Sequence, residues 1–425
     1  DGVVALSAAL VSARNLDGDV CVELADYADR TLFGEDSEPT APVAEGPTAP
    51  GLDEWIKGLG ACPWVGDPGD DTPLILDSGR LYLGKYWHFE YRVARLLRAR
   101  LLPSADLDWA LLADGLQRLF QAPEELPEPD PEPDWQRVAA AIAVTRRFAV
   151  ISGGPGTGKT TTVVKVLALL LEQEPGLRVG LCAPTGQAAA RLTESIGAGK
   201  GRIAKAGGLE QKTLERIPEQ TQTIHRLLGY GADGLFRRTS ANPLPLDCLV
   251  VDEASMVDLP LMARLLDALP TSARLVLLGD RDQLASVEAG NVLGDITGRG
   301  RPIRYDAAQM ALLEQVGAAP AVALADALGG AAVSTGADIE PSPASAVALL
   351  RVSWRFGAHS GIGELSRAVN AGDGELAMQL LDGDRHADIA RLVPPAEGLH
   401  PDCVSWAVER FARVLEADGP ESALD

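Results

Sequence analysis

"FAVISGGPGTGKTTTVVKVLALLLE", Phe148 to Glu172, decides the fold. A short apolar run leads into a glycine-rich loop and then into an apolar helix. Gly153 to Thr160 reads GGPGTGKT and satisfies GxxxxGK[ST] in full. The order strand, loop, helix is the context in which this pattern carries a mechanism. Glycines let backbone N–H groups converge on phosphate oxygens, and the start of the helix adds a favourable dipole. Gly153, Gly154, Pro155, Gly156, Thr157, Gly158, Lys159, Thr160 and Thr161 are therefore the candidate nucleotide cradle. Lys159 is placed to reach the β- and γ-phosphates, and Thr160 to offer a hydroxyl to Mg²⁺. A glycine turn without chemistry does not account for the full pattern.

Working outward, "RVGLCAP" (178–184), "LDCLVVDE" (246–253) and "ARLVLLGD" (273–280) are further short apolar runs. They alternate with the helical patterns "GQAAARLTESI" and "LPLMARLLDAL", and "WQRVAAAIAVTRR" precedes the first strand. Such alternation predicts an α/β fold, a P-loop NTPase with a doubly wound parallel sheet. Ligands then bind at the carboxyl ends of the strands. The segment "GAGKGRIAKAGG", 197–208, is expected to form a surface loop.

The third apolar run ends in Asp252 and Glu253. Asp252 would hold Mg²⁺, and Glu253 would orient or deprotonate the attacking water. A phosphotransferase needs only the first acid, so the pair tilts the reading toward hydrolysis. Gln283 follows the fourth strand and could meet the γ-phosphate or that water; a plain turn is the competing reading. Gln136, one short helix before the loop, carries an amide suited to an adenine edge. The expected ligands are thus ATP and Mg²⁺.

The chain has 425 residues, room for several domains. "FGEDSEPTAPVAEGPTAPG" (33–51) and "APEELPEPDPEPDW" (122–135) read as linkers, the second extended and stiff. In the N-terminal region, "PLILD" and "RLYLG" flank a Ser-Gly turn and predict a hairpin. "YWHFEYRVARLLRARL" after it is amphipathic, fit either to pack on its own core or to dock another subunit. Five separated cysteines form no CxxC and favour free thiols in a reducing cytoplasm. No apolar run reaches membrane-spanning length. The net charge of −22 weighs against nucleic acid only weakly, since a local groove can be basic on an acidic protein. A salt-adapted surface is the other explanation. The first residue is Asp and no stop signal is recognisable, which suggests a fragment.

The succession "DWQRVAAA", "SGGPGTGKTTT", "APTGQAAARL", "TIHRLLG", "VVDEASMVD", "LLGDRDQLASVEAGNVLGD" and "SWRFGAHSGIGELSRAVNAGD" resembles superfamily 1 DNA helicases, specifically the RecD family, the α subunit of exodeoxyribonuclease V. The resemblance implies a RecA-like motor that moves 5′-to-3′ on DNA. It matches Gln136 to the adenine-reading Gln, and Lys159, Thr160, Asp252 and Glu253 to the phosphate, magnesium and hydrolysis residues. Gln283 matches the γ-phosphate-sensing Gln, and Arg355 the Arg reaching across from a second motor domain. Pro184, Thr185, Gly186, Thr223 and His225 match segments that contact single-stranded DNA. For Thr185 helix capping alone, and for His225 simple packing, are the competing readings.

The implied organisation is a small, mostly helical N-terminal partner-docking domain (1–121), a linker (122–134), a motor domain (135–300) and a partial second motor domain (301–425). Two C-terminal helicase motifs are not found, and no nuclease cluster is visible. Implied partners are DNA and RecB-like and RecC-like subunits, with no membrane. The alternatives are a stand-alone RecD-like or conjugative-relaxase helicase, a P-loop kinase, and an interaction protein with a decayed site.

Overall fold

Apolar periodicity and acidic helix caps account for most elements of the computed structural model. It describes residues 2–33, 46–101, 106–120, 133–283, 286, 288–298, 303–329, 333–334, 343–353, 360–383, 385–392, 395 and 398–416. The expected linkers at 33–51 and 122–134 lie largely outside the described residues, and Arg355 lies wholly outside them. The chain divides into two compact units, Asp1–Val352 and Ser353–Asp425.

The first unit opens with α1 (Gly2–Leu16), β1 (Cys21–Glu23), α2 (Leu52–Gly60), β2 (Val65–Gly66), β3 (Leu74–Asp77), β4 (Arg80–Leu83), α3 (Gly84–Arg98) and α4 (Trp109–Leu119). Helices dominate this region by length, yet they surround a four-stranded sheet of order β1-β4-β3-β2. The expected hairpin is β3–β4. Its turn residues Ser78 (φ 52°) and Gly79 (φ 84°) are both left-handed, as a tight two-residue hairpin turn requires. Leu10, Val11, Trp55, Leu59 and Leu81 form a local core, and Trp55 Nε1 donates to Ser7 Oγ at 2.7 Å inside it.

The chain continues through α5 (Trp135–Thr145), β5 (Phe148–Gly153), α6 (Lys159–Gln173), β6 (Val179–Ala183), α7 (Gly186–Ala206), α8 (Gln211–Arg216), β7 (Gln222–Thr223), α9 (Ile224–Leu227), β8 (Cys248–Val251), α10 (Leu259–Ala268) and β9 (Arg274–Gly279). Then come α11 (Val292–Thr297), β10 (Tyr305–Asp306), α12 (Ala307–Gln315), α13 (Ala321–Ala327), β11 (Val333–Ser334) and β12 (Val347–Leu350). Six strands form one sheet of order β12-β5-β9-β8-β6-β7, and every pairing in it is parallel. Every residue of β5 is buried, so both faces of the sheet are covered, as a doubly wound sheet requires.

Two boundaries differ from the sequence reading. The motor does not end near residue 300: β12 pairs with β5 from Val347↔Val150 to Leu350↔Gly153 and carries the first unit to Val352. The segment 197–208 is not a surface loop. α7 runs unbroken to Ala206, because Ile196, Gly199 and Ile203 keep a helical spacing on a buried face. The glycines that suggested a loop serve packing there.

The N-terminal region is joined closely to the motor. α3 lies along α10, so its apolar stripe packs beyond the N-terminal region's own core. Arg100, just past α3, is fully buried. It donates to the carbonyls of Leu96, Leu269 and Pro270 at 2.8 Å and of Ala273 at 3.3 Å. Three of these lie at and beyond the end of α10, where a cation meets the negative end of the helix dipole. Burial pulls the guanidinium pKa down to about 10, which leaves it charged at neutral pH. Arg92 adds a partly exposed ion pair to Asp267 at 2.7 Å.

In the second unit, α14 (Gly361–Asn370) packs on α15 (Gly374–Asp382), followed by α16 (Pro401–Glu416). Asp388 accepts from Ser360 Oγ and from the N–H groups of Gly361 and Ile362, tying down the start of α14.

Arg100→Ala removes a buried donor from four carbonyls, of which only Pro270 keeps another, the Ala273 N–H, and is expected to cost about 3 kcal/mol in urea unfolding. Arg92→Ala breaks only the partly exposed pair and should cost under about 1 kcal/mol. Equal effects of the two substitutions would show that Arg100 does not clamp α10.

Candidate functional site

Parallel register brings the candidate residues to one edge of the sheet. Ser152 pairs with Gly279, Gly153 with Leu350, Cys182 with Val251 and Ala183 with Thr223. The loops leaving these strand ends carry the P-loop, the Asp252–Glu253 pair, the Asp280–Gln283 turn and the Pro184–Gly186 segment.

The glycines of the P-loop have separate jobs. Gly156 (φ 77°) and Gly158 (φ 86°) occupy the left-handed region, which turns the amides inward at no side-chain cost. Gly153 is needed for space: a Cβ there would come within 2.6 Å of Thr157 Oγ1 and 2.9 Å of the Leu350 Cβ. Thr157 Oγ1 donates to the Gly154 carbonyl at 2.9 Å and Thr162 Oγ1 to that of Gly158 at 3.0 Å, which fixes the loop. Lys159 Nζ folds back onto the carbonyls of Gly153 and Gly154. Pro155 and Thr160 lie on this same loop and helix start, and Thr161 receives a hydrogen bond from Arg202 of α7 at 3.0 Å. Gln136, in the first turn of α5, donates from Nε2 to the Thr157 carbonyl at 3.1 Å, so it touches the P-loop backbone. Asp134 caps that turn by accepting from the N–H groups of Gln136 and Arg137.

Asp252 stands at the end of β8. Its N–H donates to the Cys182 carbonyl at 2.9 Å, and its Oδ1 accepts from the Glu253 N–H at 3.0 Å. Burial pushes its pKa up to about 6; the neighbouring Glu253 charge adds to this, while the Glu253 N–H and Lys159 oppose it. A half-buried carboxylate in that condition gains from a cation. Glu253 itself has left-handed backbone (φ 50°, ψ 43°), rare for a non-glycine residue. Strain of this kind recurs at functional turns. After β9, Asp280 is buried, and the Gln283 N–H donates to its carbonyl at 3.3 Å. Arg281 N–H donates to Ser152 Oγ at 3.0 Å, binding this turn to the start of the P-loop.

Thr185 caps α7, accepting from Ala188 N–H at 3.2 Å, and Thr223 caps α9, accepting from Arg226 N–H at 3.2 Å. Each hydroxyl keeps its own O–H to donate. Pro184 and Gly186 flank the first cap, and Thr185 and Gly186 are exposed. The exposed His225 lies in an aromatic group, 5.5 Å from the Tyr230 ring and 5.9 Å from that of Phe236. Packing is thus observed for His225.

Sequence reasoning missed β7, β12 and the approach of Arg202. β7 is two residues long, too short for any periodicity. For Arg202 a signal existed: Ile196 and Ile203, seven apart, continue the apolar face of α7.

Two family models match the chain: "RecBCD enzyme subunit RecD, N-terminal domain" over residues 1–82 and "AAA domain" over 136–289. The RecBCD enzyme subunit RecD of Haemophilus influenzae is 36% identical over 393 residues, covering 89% of this chain and 58% of that protein. The subunit of the same name from Mycobacterium tuberculosis is 36% identical over 424 residues, covering 98% of this chain and 61% of that one. The ATP-dependent RecD2 DNA helicase of Deinococcus radiodurans is 39% identical over 232 residues, 52% of this chain and 27% of that protein. The chain thus spans about 60% of the length of the RecD subunits it matches. With the N-terminal and AAA models in that order, and 36% identity across nearly its whole length, the chain is similar to RecD subunits from one end to the other.

Proposed function

We propose that this chain is the ATP-hydrolysing motor portion of a 5′-to-3′ DNA helicase subunit of an exodeoxyribonuclease V complex. It would work in the cytoplasm with RecB-like and RecC-like partners, in double-strand-break repair. The observation that carries this reading is the backbone link between the two halves of the sheet edge. Asp252 N–H bonds to the Cys182 carbonyl, and the next residue, Ala183, pairs with Thr223 and leads into Pro184 and Thr185. A shift at the nucleotide carboxylate therefore reaches both candidate DNA segments through short, stiff connections.

The residues fit Mg²⁺–ATP. Inward amides at Gly156 and Gly158 suit phosphate oxygens. The half-buried Asp252, short of donors, suits a cation beside the Thr160 hydroxyl. ATP supplies a transferable γ-phosphoryl group, and Mg²⁺ neutralises charge on its oxygens. In this scheme Lys159 leaves the Gly153 and Gly154 carbonyls and donates to phosphate instead. Glu253 takes a proton from the attacking water, its carboxylate aimed by the left-handed turn. Gln283 monitors the γ-phosphate end, and Gln136 holds the adenine side of the loop. Thr185 and Thr223 donate their free O–H groups to DNA phosphates, a grip that reads no sequence. His225 joins them through its exposed ring.

Lys159→Ala is expected to lower DNA-stimulated ATP turnover at least about 100-fold. Glu253→Gln should lower turnover about as much while leaving nucleotide affinity near wild type. Full turnover in either variant would sink the assignment.

The raised Asp252 gives a pH signature. Its carboxylate is mostly ionised above pH 6 and protonated below it. Affinity for Mg²⁺ in the ADP complex is therefore expected to fall about tenfold from pH 7 to pH 5. Metal-free ADP binding should change far less, and Asp252→Asn should abolish the pH dependence. Titration of Mg²⁺ by calorimetry at the two pH values checks this; a flat profile would contradict it.

A further inference from the structure

The C-terminal half of α7 is assigned no role by the motor reading, yet it approaches the P-loop helix closely. Ile196, Gly199 and Ile203 form its buried face. Gly199 is a point of close approach, where a Cβ would lie 2.8 Å from Val164 Cγ2 of α6. Three residues later, Arg202 Nη2 donates to Thr161 Oγ1 at 3.0 Å. Gly199 meets Val164 and Arg202 meets Thr161, so the contacts run in opposite directions along the two helices. α7 therefore descends toward the phosphate end of α6. A bulkier residue at 199 would hold the helices apart and withdraw Arg202.

Thr161 is the third residue of α6, and its N–H belongs to the first turn, which has no helical acceptors. Arg202 thus sets an exposed guanidinium beside the anion-binding end of the helix. Among the described residues it has no carboxylate within ion-pair distance, whereas neighbouring Lys200 is paired with Glu219. A cation held there by a neutral hydroxyl alone retains its capacity for phosphate.

Resting on the nucleotide reading above, we propose that Arg202 is a further nucleotide-binding residue, contacting the part of the polyphosphate nearer the nucleoside. Lys159 and Thr160 serve the β- and γ-phosphates, while Thr161 lies one residue further along the first turn. The contact is then common to ATP and ADP. The planar fork of Arg suits two phosphate oxygens at once. It also makes α7 a single helix of 21 residues, about 30 Å long, with Thr185 of the candidate DNA segment at one end and a nucleotide contact near the other.

The test measures binding of fluorescent mant-ADP and mant-ATP, with Mg²⁺, to wild type, Arg202→Ala, Arg202→Gln and Lys159→Ala. Arg202→Gln keeps a donor for Thr161 and loses the charge. Both Arg202 variants are expected to bind ADP and ATP about tenfold more weakly and by equal factors. Unliganded melting temperatures and adenosine affinity should stay unchanged. Affinities within twofold of wild type would overturn the proposal. So would a loss matched by a lower unliganded melting temperature, which would make Arg202 only a helix clamp. If Lys159→Ala also bound and turned over like wild type, the nucleotide site itself would be refuted. Wild-type behaviour of the Arg202 variants beside a disabled Lys159→Ala refutes this proposal alone.

Discussion

The parallel register around β5 is the constraint on which the rest depends. A parallel ladder makes strand ends line up, so one set of backbone hydrogen bonds decides which loops are neighbours. Here it sets Gly153 against Leu350 and Ser152 against Gly279. The close fit of Gly153 to Leu350 admits no side chain. The first glycine of the nucleotide pattern is therefore required by strand packing, and the later two by left-handed backbone. A single sequence pattern thus encodes two separate physical demands.

The second demand is to hold elements at fixed distances without paired charges. Arg100, Arg146 and Arg274 are each directed at backbone carbonyls. Arg146 Nη1 donates to Leu101, and its other nitrogens to Gln309 Oε1; Arg274 Nη1 donates to Val144 and Arg146. Burial lowers the pKa of all three. Removing water from such groups is costly, and the carbonyls at and near the ends of helices compensate. Arg100 thereby ties the end of α3 to α10, the helix that follows the Asp252–Glu253 turn.

Legibility in the sequence followed the strength of local signals. β5, β6, β8 and β9 were readable because four to six consecutive apolar residues, all or mostly buried, leave few other options. The candidate residues named from the strand ends lie along one edge of the sheet. The path of 197–208 was not readable, because glycine means a loop when only propensity is considered and close helix packing when a partner is present. Nor was the partner of α3, since an amphipathic face does not say what it meets. β12 lies far from β5 in sequence, and only tertiary pairing reveals that it belongs to the same sheet. The left-handed backbone at Glu253 has no sequence signal, since glutamate does not favour it.

The acidic composition is compatible with the proposed anion-binding edge. Carboxylates of Asp108, Asp134, Asp258, Asp306 and Asp373 cap helix N-termini. Others, including Asp19, Asp247 and Asp267, are held in ion pairs. Charge used this way acts locally, and exposed charges farther than a Debye length, about 8 Å at physiological salt, are largely screened. The carboxyl edge of the sheet instead presents Lys159, Arg202 and the start of α7. Phosphate responds to those near donors and charges more than to the total, so a net −22 is compatible with the proposed phosphate-binding face.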